Sequence, residues 1–99
     1  PMLEKDIERK VCEYAKASGV DHYKFTSPNR AAVPDRMFVS AGGHIWFCEF
    51  KREGQKPTPA QEREHLRLRS RGVRVYVVDN VADGKAMIDK EAGLPGWLK

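Results

Sequence analysis

The sequence predicts an α/β fold, a small mixed β-sheet flanked by helices in the order α-β-β-β-α-β-α. Three observations carry this prediction. Apolar residues recur at helical spacing near the N-terminus, at Leu3, Ile7, Val11 and Tyr14. The segment from Ile45 to Lys51 is apolar on both faces over most of its length, the mark of a central strand. A well-capped helical stretch then separates it from a second, valine-rich strand, the arrangement of a right-handed crossover that makes the two strands parallel.

Each element has a local cause. Leu3 to Ala17 is the first helix, and Gly19 stops it. Val20 to Thr26, with Tyr23 and Phe25 alternating, is a strand. Ser27 to Pro34 holds two prolines and an asparagine and reads as loop. Asp35 to Val39 and His44 to Lys51 are strands joined by the turn Ala41-Gly42-Gly43, and tight connections make these neighbours antiparallel. Arg52 to Pro57 is loop. Thr58 caps a second helix with Pro59 at its first position and Gln61 completing a capping box, and Gly72 ends it. Val73 to Asp79 is the fourth strand, with Val73, Val75 and Val77 on one face. Asn80 caps a last helix reaching about Glu91. The segment from Gly93 to Lys99 carries Leu94, Trp97 and Leu98, apolar groups expected to dock or to form a dimer contact.

Composition narrows the class. The 99 residues are 40% hydrophobic and 32% charged, which fits one folded domain over residues 1–99 and excludes disorder. The longest apolar run, Ile45 to Cys48, is too short to span a bilayer. Leu3 to Lys10 is already highly charged and so is no secretory leader, and a cytoplasmic protein with no membrane partner is expected. Pro1 before Met2 reads as an added residue. Cys12 and Cys48 match no zinc or redox spacing and read as two buried free thiols. A net charge of +4 leans toward a nucleic-acid partner without establishing one.

The chemistry concentrates at one strand end. With the hairpin turn centred on Gly42, Asp35 lies opposite Glu49, and Lys51 projects to the same face as Glu49. An isolated Glu-x-Lys at the end of a strand is ordinarily a salt bridge where the chain emerges into water. Asp35 across the hairpin changes the balance. Two adjacent carboxylates repel and need a cation, and hard oxygen ligands suit Mg²⁺, with Mn²⁺ as a substitute. The Phe50 carbonyl is a further candidate ligand. Lys51 can then orient an attacking water and neutralise charge on a phosphate, the roles needed for phosphodiester hydrolysis.

Pro34-Asp35 followed by Glu49-Phe50-Lys51 resembles the PD-(D/E)xK nuclease superfamily. Glu4-Lys5-Asp6-Ile7, Val33-Pro34-Asp35, the Glu-x-Lys triplet, Pro57-Thr58-Pro59-Ala60-Gln61 and Gly72-Val73 together resemble the virus-type replication-repair nuclease domain, VRR-NUC, over about residues 3 to 79. A lone Pro-Asp or Glu-x-Lys is weak, whereas the ordered set is fairly specific. The resemblance implies a restriction-endonuclease-like core. It implies metal ligation by Asp35 and Glu49 and a catalytic Lys51. Its helix-one glutamate matches Glu4, which falls inside the apolar arc of the first helix, with Glu8 one turn on as the rival. Gln61 matches the family's glutamine beside the active lysine. Capping alone also accounts for Gln61; both roles can be partly right, though one side-chain amide is not expected to point both ways at once. Val33 stands where a glycine often precedes Pro-Asp, which bears on loop shape. The resemblance further implies DNA as substrate, branched or four-way junction DNA in particular, cut by a homodimer, with the tail and the Tyr23/Phe25 strand as candidate dimer surfaces.

Basic residues supply candidate DNA contacts. Arg63, Arg67 and Arg71 recur at helical spacing with Arg69 nearby, a pattern that suits a solvated face or a phosphate stripe. Lys24, Arg30, Arg36, Arg52 and Lys56 cluster around the proposed site, and Arg30, Lys56, Arg63 and Arg67 are the strongest candidates. His22, His44 and His65 have no ligand spacing, and only His65, one turn after Gln61, is placed to face the site. The competing readings are a non-catalytic nucleic-acid-binding module on a nuclease-like fold and a protein-interaction domain with an incidental basic surface.

Overall fold

The structure is a computed structural model that describes residues 1–94. The elements come in the predicted order: α1 (Glu4–Ala17), β1 (Asp21–Lys24), β2 (Arg36–Ser40), β3 (His44–Phe50), α2 (Pro59–Ser70), β4 (Val75–Val78) and α3 (Val81–Ala92), with a short 3₁₀ turn at Ala41–Gly43. The sheet runs β1-β2-β3-β4. β1/β2 and β2/β3 are antiparallel and β3/β4 is parallel. The mixed sheet and crossover expected from the sequence are therefore present.

The boundaries differ where local bonding wins. Leu3 is not helical but caps α1, and it is 52% exposed. β1 stops at Lys24 rather than Thr26. Phe25 still donates its N–H to the Asp35 carbonyl, but β2 begins only after Pro34 and offers no further ladder. β4 begins at Val75 rather than Val73, because the Val73 N–H closes the end of α2 on the Leu68 carbonyl. Gly72, at φ 86°, supplies the left-handed turn that this closure needs.

The two sheet faces are unlike. Phe38, Trp46, Cys48, Phe50 and Val78 point to one face, where they form the apolar core with Ile7, Val11 and Ala15 of α1 and Met87 and Ile88 of α3. Cys12 and Cys48 are both buried free thiols, as expected. The opposite face meets α2, whose buried residues are Glu64 and His65, both polar. Val75 and Val77 share this face, but Val77 is 39% exposed. Tyr23 is 51% exposed, while Phe25 folds against Phe47 with ring centroids 4.9 Å apart. Of the C-terminal apolar residues, Leu94 is half-buried, whereas Trp97 and Leu98 lie outside the described residues.

The end of the sheet that begins β3 and β4 is locked by a polar quartet. Glu91 of α3, fully buried, bonds His44 Nε2 at 2.6 Å, Arg74 Nε at 2.9 Å and the Tyr76 hydroxyl. Burial alone would raise its pKa, but the bonds from Arg74, Tyr76 and His44 hold it below the ordinary value. α1 and α3 meet where Gly84 lies flat against Val11, so that a Cβ at Gly84 would overlap the valine methyls. Gly84→Ala is expected to destabilise the protein by about 1–3 kcal/mol through overpacking, against a helix-propensity gain of about 1 kcal/mol. Adding Val11→Ala to that variant should recover part of the loss in urea unfolding, and failure to do so would contradict the close approach.

Candidate active site at the end of strand β3

The register Arg36↔Cys48 continues outward to place Asp35 opposite Glu49. One step further, Phe50 has no strand partner on the β2 side. Its N–H is instead accepted by Asp35 Oδ2 at 2.8 Å, so the Asp35 side chain stands in for the missing backbone acceptor. This bond fixes the carboxylate at the end of β3. The Lys51 N–H continues the ladder to the Val78 carbonyl, which sets the Lys51 side chain on the same face as Glu49.

Glu49 is 2% exposed and Lys51 is 7% exposed. Burial pushes the Glu49 carboxyl up to about 8, and the charge of Asp35 and a hydrogen bond with it add to the rise, while Lys51 opposes it. Glu49 Oε1 is buried without a hydrogen-bond partner among the described residues. Glu4 of α1 faces the same end. Its carboxyl is raised by partial burial and then by Asp35, and lowered by Lys51. Glu8, the rival, is engaged elsewhere, ion-paired to Arg36 Nε at 2.6 Å.

α2 grips Glu49 from above. The Gln61 amide does both things that the sequence presents as alternatives. Its Oε1 accepts the Thr58 N–H at 2.9 Å and completes the capping box, while its Nε2 donates to Glu49 Oε2 at 3.1 Å. The expectation that one amide cannot point both ways at once fails because an amide has two ends, and the start of α2 lies within hydrogen-bond reach of the carboxylate. One turn on, His65 is 1% exposed, with Nε2 3.6 Å from Glu49 Oε1. Burial and then Arg69 hold its imidazole below the ordinary value, which favours the neutral ring. This contact follows from the four-residue spacing of Gln61 and His65 on one helix face.

The basic candidates separate. Arg30 is ion-paired to Glu64 at 3.0 Å, so part of its charge ties the loop before Asp35 to α2. Arg69 is committed to the Val75 carbonyl, with Nη2 at 2.6 Å. Arg63, Arg67 and Lys56 are exposed, and Lys56 borders a cavity of about 430 Å³ beside His65 and Val77. The left-handed residue of the Pro-Asp loop is Ala32, at φ 64°, rather than Val33.

The donor set bears on a metal. Among the described residues, no three His, Cys, Asp or Glu side chains converge closely enough to hold an ion by themselves. Two adjacent carboxylates, of which Glu49 both retains its proton to about 8 and carries an unpartnered buried oxygen, are nevertheless a fit for a hard divalent cation.

No family model matches the chain. A protein of Acyrthosiphon pisum secondary endosymbiont phage 1, named "Putative nuclease p44", is 44% identical over 77 residues, covering 78% of this chain and 83% of that protein. A solved structure described as a VRR_NUC domain is 34% identical, covers 87% of this chain and 94% of that one, and matches with a TM-score of 0.80. A second, described as a VRR_NUC domain protein, shares the fold at a TM-score of 0.73 and 18% identity, covering 96% of this chain and 92% of that one. The fold and these likenesses define a nuclease. The chain belongs to the VRR-NUC domain family.

Two outcomes test the geometry. The folded protein keeps the Glu49 proton to about pH 8, whereas the unfolded chain releases it near 4.5, so Glu49 costs stability as pH rises from 4.5 to 8. In EDTA, Glu49→Gln should match the parent in stability near pH 4.5 and exceed it above pH 8 by about 1–3 kcal/mol, the cost of a buried unsatisfied charged group, read as a raised thermal midpoint. Equal midpoints at both pH values would contradict the raised carboxyl. Ala32→Gly, which relieves a left-handed alanine, should stabilise by about 1 kcal/mol in the same melts, and a loss of stability would contradict that backbone conformation.

Proposed function

We propose that the protein is a Mg²⁺-dependent DNA endonuclease, with Mn²⁺ as a working substitute, that cuts branched DNA such as four-way junctions as a homodimer inside the cell. The observation that carries the catalytic part is the buried pair Asp35 and Glu49 with Lys51 on the same strand end. Asp35 and Glu49 would hold the ion, with Glu4 and the Phe50 carbonyl as the protein's further ligands. When bound, the ion supplies Lewis-acid activation of water and phosphate.

The chain's own residues do the rest. Gln61 Nε2 holds Glu49 in the orientation it needs. His65 fills the space beside Glu49 Oε1 and excludes water from it. The Lys51 ammonium orients the attacking water and offsets charge on the scissile phosphate as the new P–O bond forms and the bond to the leaving sugar oxygen breaks. Arg30, Lys56, Arg63 and Arg67 carry cationic charge on the surrounding surface for phosphate contact. Junction preference and the homodimer rest on membership of the family, together with exposed apolar groups such as Tyr23 and Leu66 that suit a two-fold contact. Among the described residues no helix is long and apolar enough to cross a membrane.

A cleavage assay on a labelled four-way junction and a linear duplex of matched sequence tests this. Symmetric junction cuts that need Mg²⁺ or Mn²⁺ are expected. Lys51→Ala and Asp35→Ala should lower the rate by about 100-fold or more while leaving a folded protein. Wild-type cutting by Asp35→Ala would remove the catalytic assignment. A folded protein that shifts the junction on a gel and never cuts it would favour the binding-module reading.

A further inference from the structure

A second basic feature lies away from the catalytic strand end and away from α2. A groove of about 360 Å³ runs between α1 and the β1–β2 hairpin. Its floor is Cys12, and five cationic side chains but only two carboxylates line it. Glu8 is taken up by Arg36, and Arg9 engages Asp6 and Glu13. Lys5, Lys16 and Lys24 are left with no carboxylate within ion-pair distance among the described residues. The positive field reaches the groove wall, where burial and then Arg36 and Lys16 hold His22 below its ordinary pKa. The cavity beside α2 is different, because Lys56 and Arg69 there face Glu62 and Asp79.

The groove abuts the site along the backbone: Lys5 follows Glu4 in α1, and Arg36, the first residue of β2, follows Asp35 with its side chain on the α1 face of the sheet. From Lys5 to Lys16 the helix advances roughly 16 Å at 1.5 Å per residue. Phosphates of one DNA strand advance roughly 3.4 Å each along the duplex axis, so this length spans several of them.

We propose that the groove between α1 and the β1–β2 hairpin receives the phosphodiester backbone of the DNA as it leaves the cut site, with Lys5, Lys16 and Lys24 as sequence-independent phosphate contacts. This rests on the nuclease reading, and it extends the substrate path to the α1 side of the molecule, beyond the arginines of α2.

The test compares two triple variants that remove the same charge. Lys5→Gln/Lys16→Gln/Lys24→Gln empties the groove of its unpaired cations, whereas Lys10→Gln/Lys85→Gln/Lys90→Gln removes three lysines outside it. Binding to a labelled duplex and to a four-way junction is followed by anisotropy in EDTA from 50 to 300 mM salt, with circular dichroism to confirm folding. The groove variant should lose about 2–3 from the slope of log K against log salt, at about 0.9 per phosphate contact, and bind about tenfold or more weakly at 0.1 M salt. The control variant should keep the parent slope. Equal losses in both variants would reduce the effect to net charge and overturn the proposal, as would a groove variant with the parent slope. Loss of inorganic-phosphate binding with an unchanged DNA slope would make the groove a small-anion site and also overturn it. Cleavage by the parent protein is measured in parallel. A parent that cuts while the groove variant keeps its slope removes the groove alone, and a parent that binds with the predicted slope difference but never cuts removes the catalytic reading alone.

Discussion

Strand β3 is the constraint on which the rest depends. Its alternate side chains Trp46, Cys48 and Phe50 are each fully buried in the apolar core. The residues between them face α2. A strand anchored in this way cannot slip by one residue without sending Trp46, Phe50 and the Cys48 thiol into a polar layer. Glu49 and Lys51 are therefore held where they are by the packing of their neighbours, and the cost of burying a carboxylate is met by the core beneath it.

The two ends of the sheet are built on opposite principles. At one end, the Glu91 carboxylate itself is fully bonded, by His44, Arg74 and Tyr76, and stays ionised, although His44 Nδ1 and Ser40 Oγ at that end lack partners among the described residues. At the other, Glu49 is left with one oxygen unpartnered and its ionisation opposed. Satisfied polar networks rigidify, and unsatisfied groups mark positions where something else completes the shell. The first end stabilises the scaffold, and the second, the candidate site, gives up stability to bury an unsatisfied carboxylate.

The fold was legible because its signals are local. Helix caps at Thr58 and Asn80, the glycines that close turns, and the apolar run of β3 each act over a few residues. The placement of Asp35 across from Glu49 followed from hairpin arithmetic, since the turn is symmetric about Gly42. The contacts that escaped the sequence are long-range. Nothing in the spacing of Glu91 announces that it meets His44, Arg74 and Tyr76, because His44, the Arg74/Tyr76 pair and Glu91 come from three separate parts of the chain. Arg30 and Arg69 look like free cations in sequence and prove to be tethers, to Glu64 and to the Val75 carbonyl. The boundaries of β1 and β4 also escaped, because side-chain periodicity does not register where a proline or a helix cap takes over the backbone bonds.

Gln61 joins two events that are separate in most enzymes. Its carbonyl oxygen holds the first turn of α2 and its amide nitrogen holds Glu49. The opening of a single helical turn would therefore release a site carboxylate while the core stays intact. Helix termini are the first places a native protein opens. The candidate site is thus coupled to a local fraying equilibrium, and whatever presses on the loop before Thr58 acts, through one side chain, as a lever on Glu49.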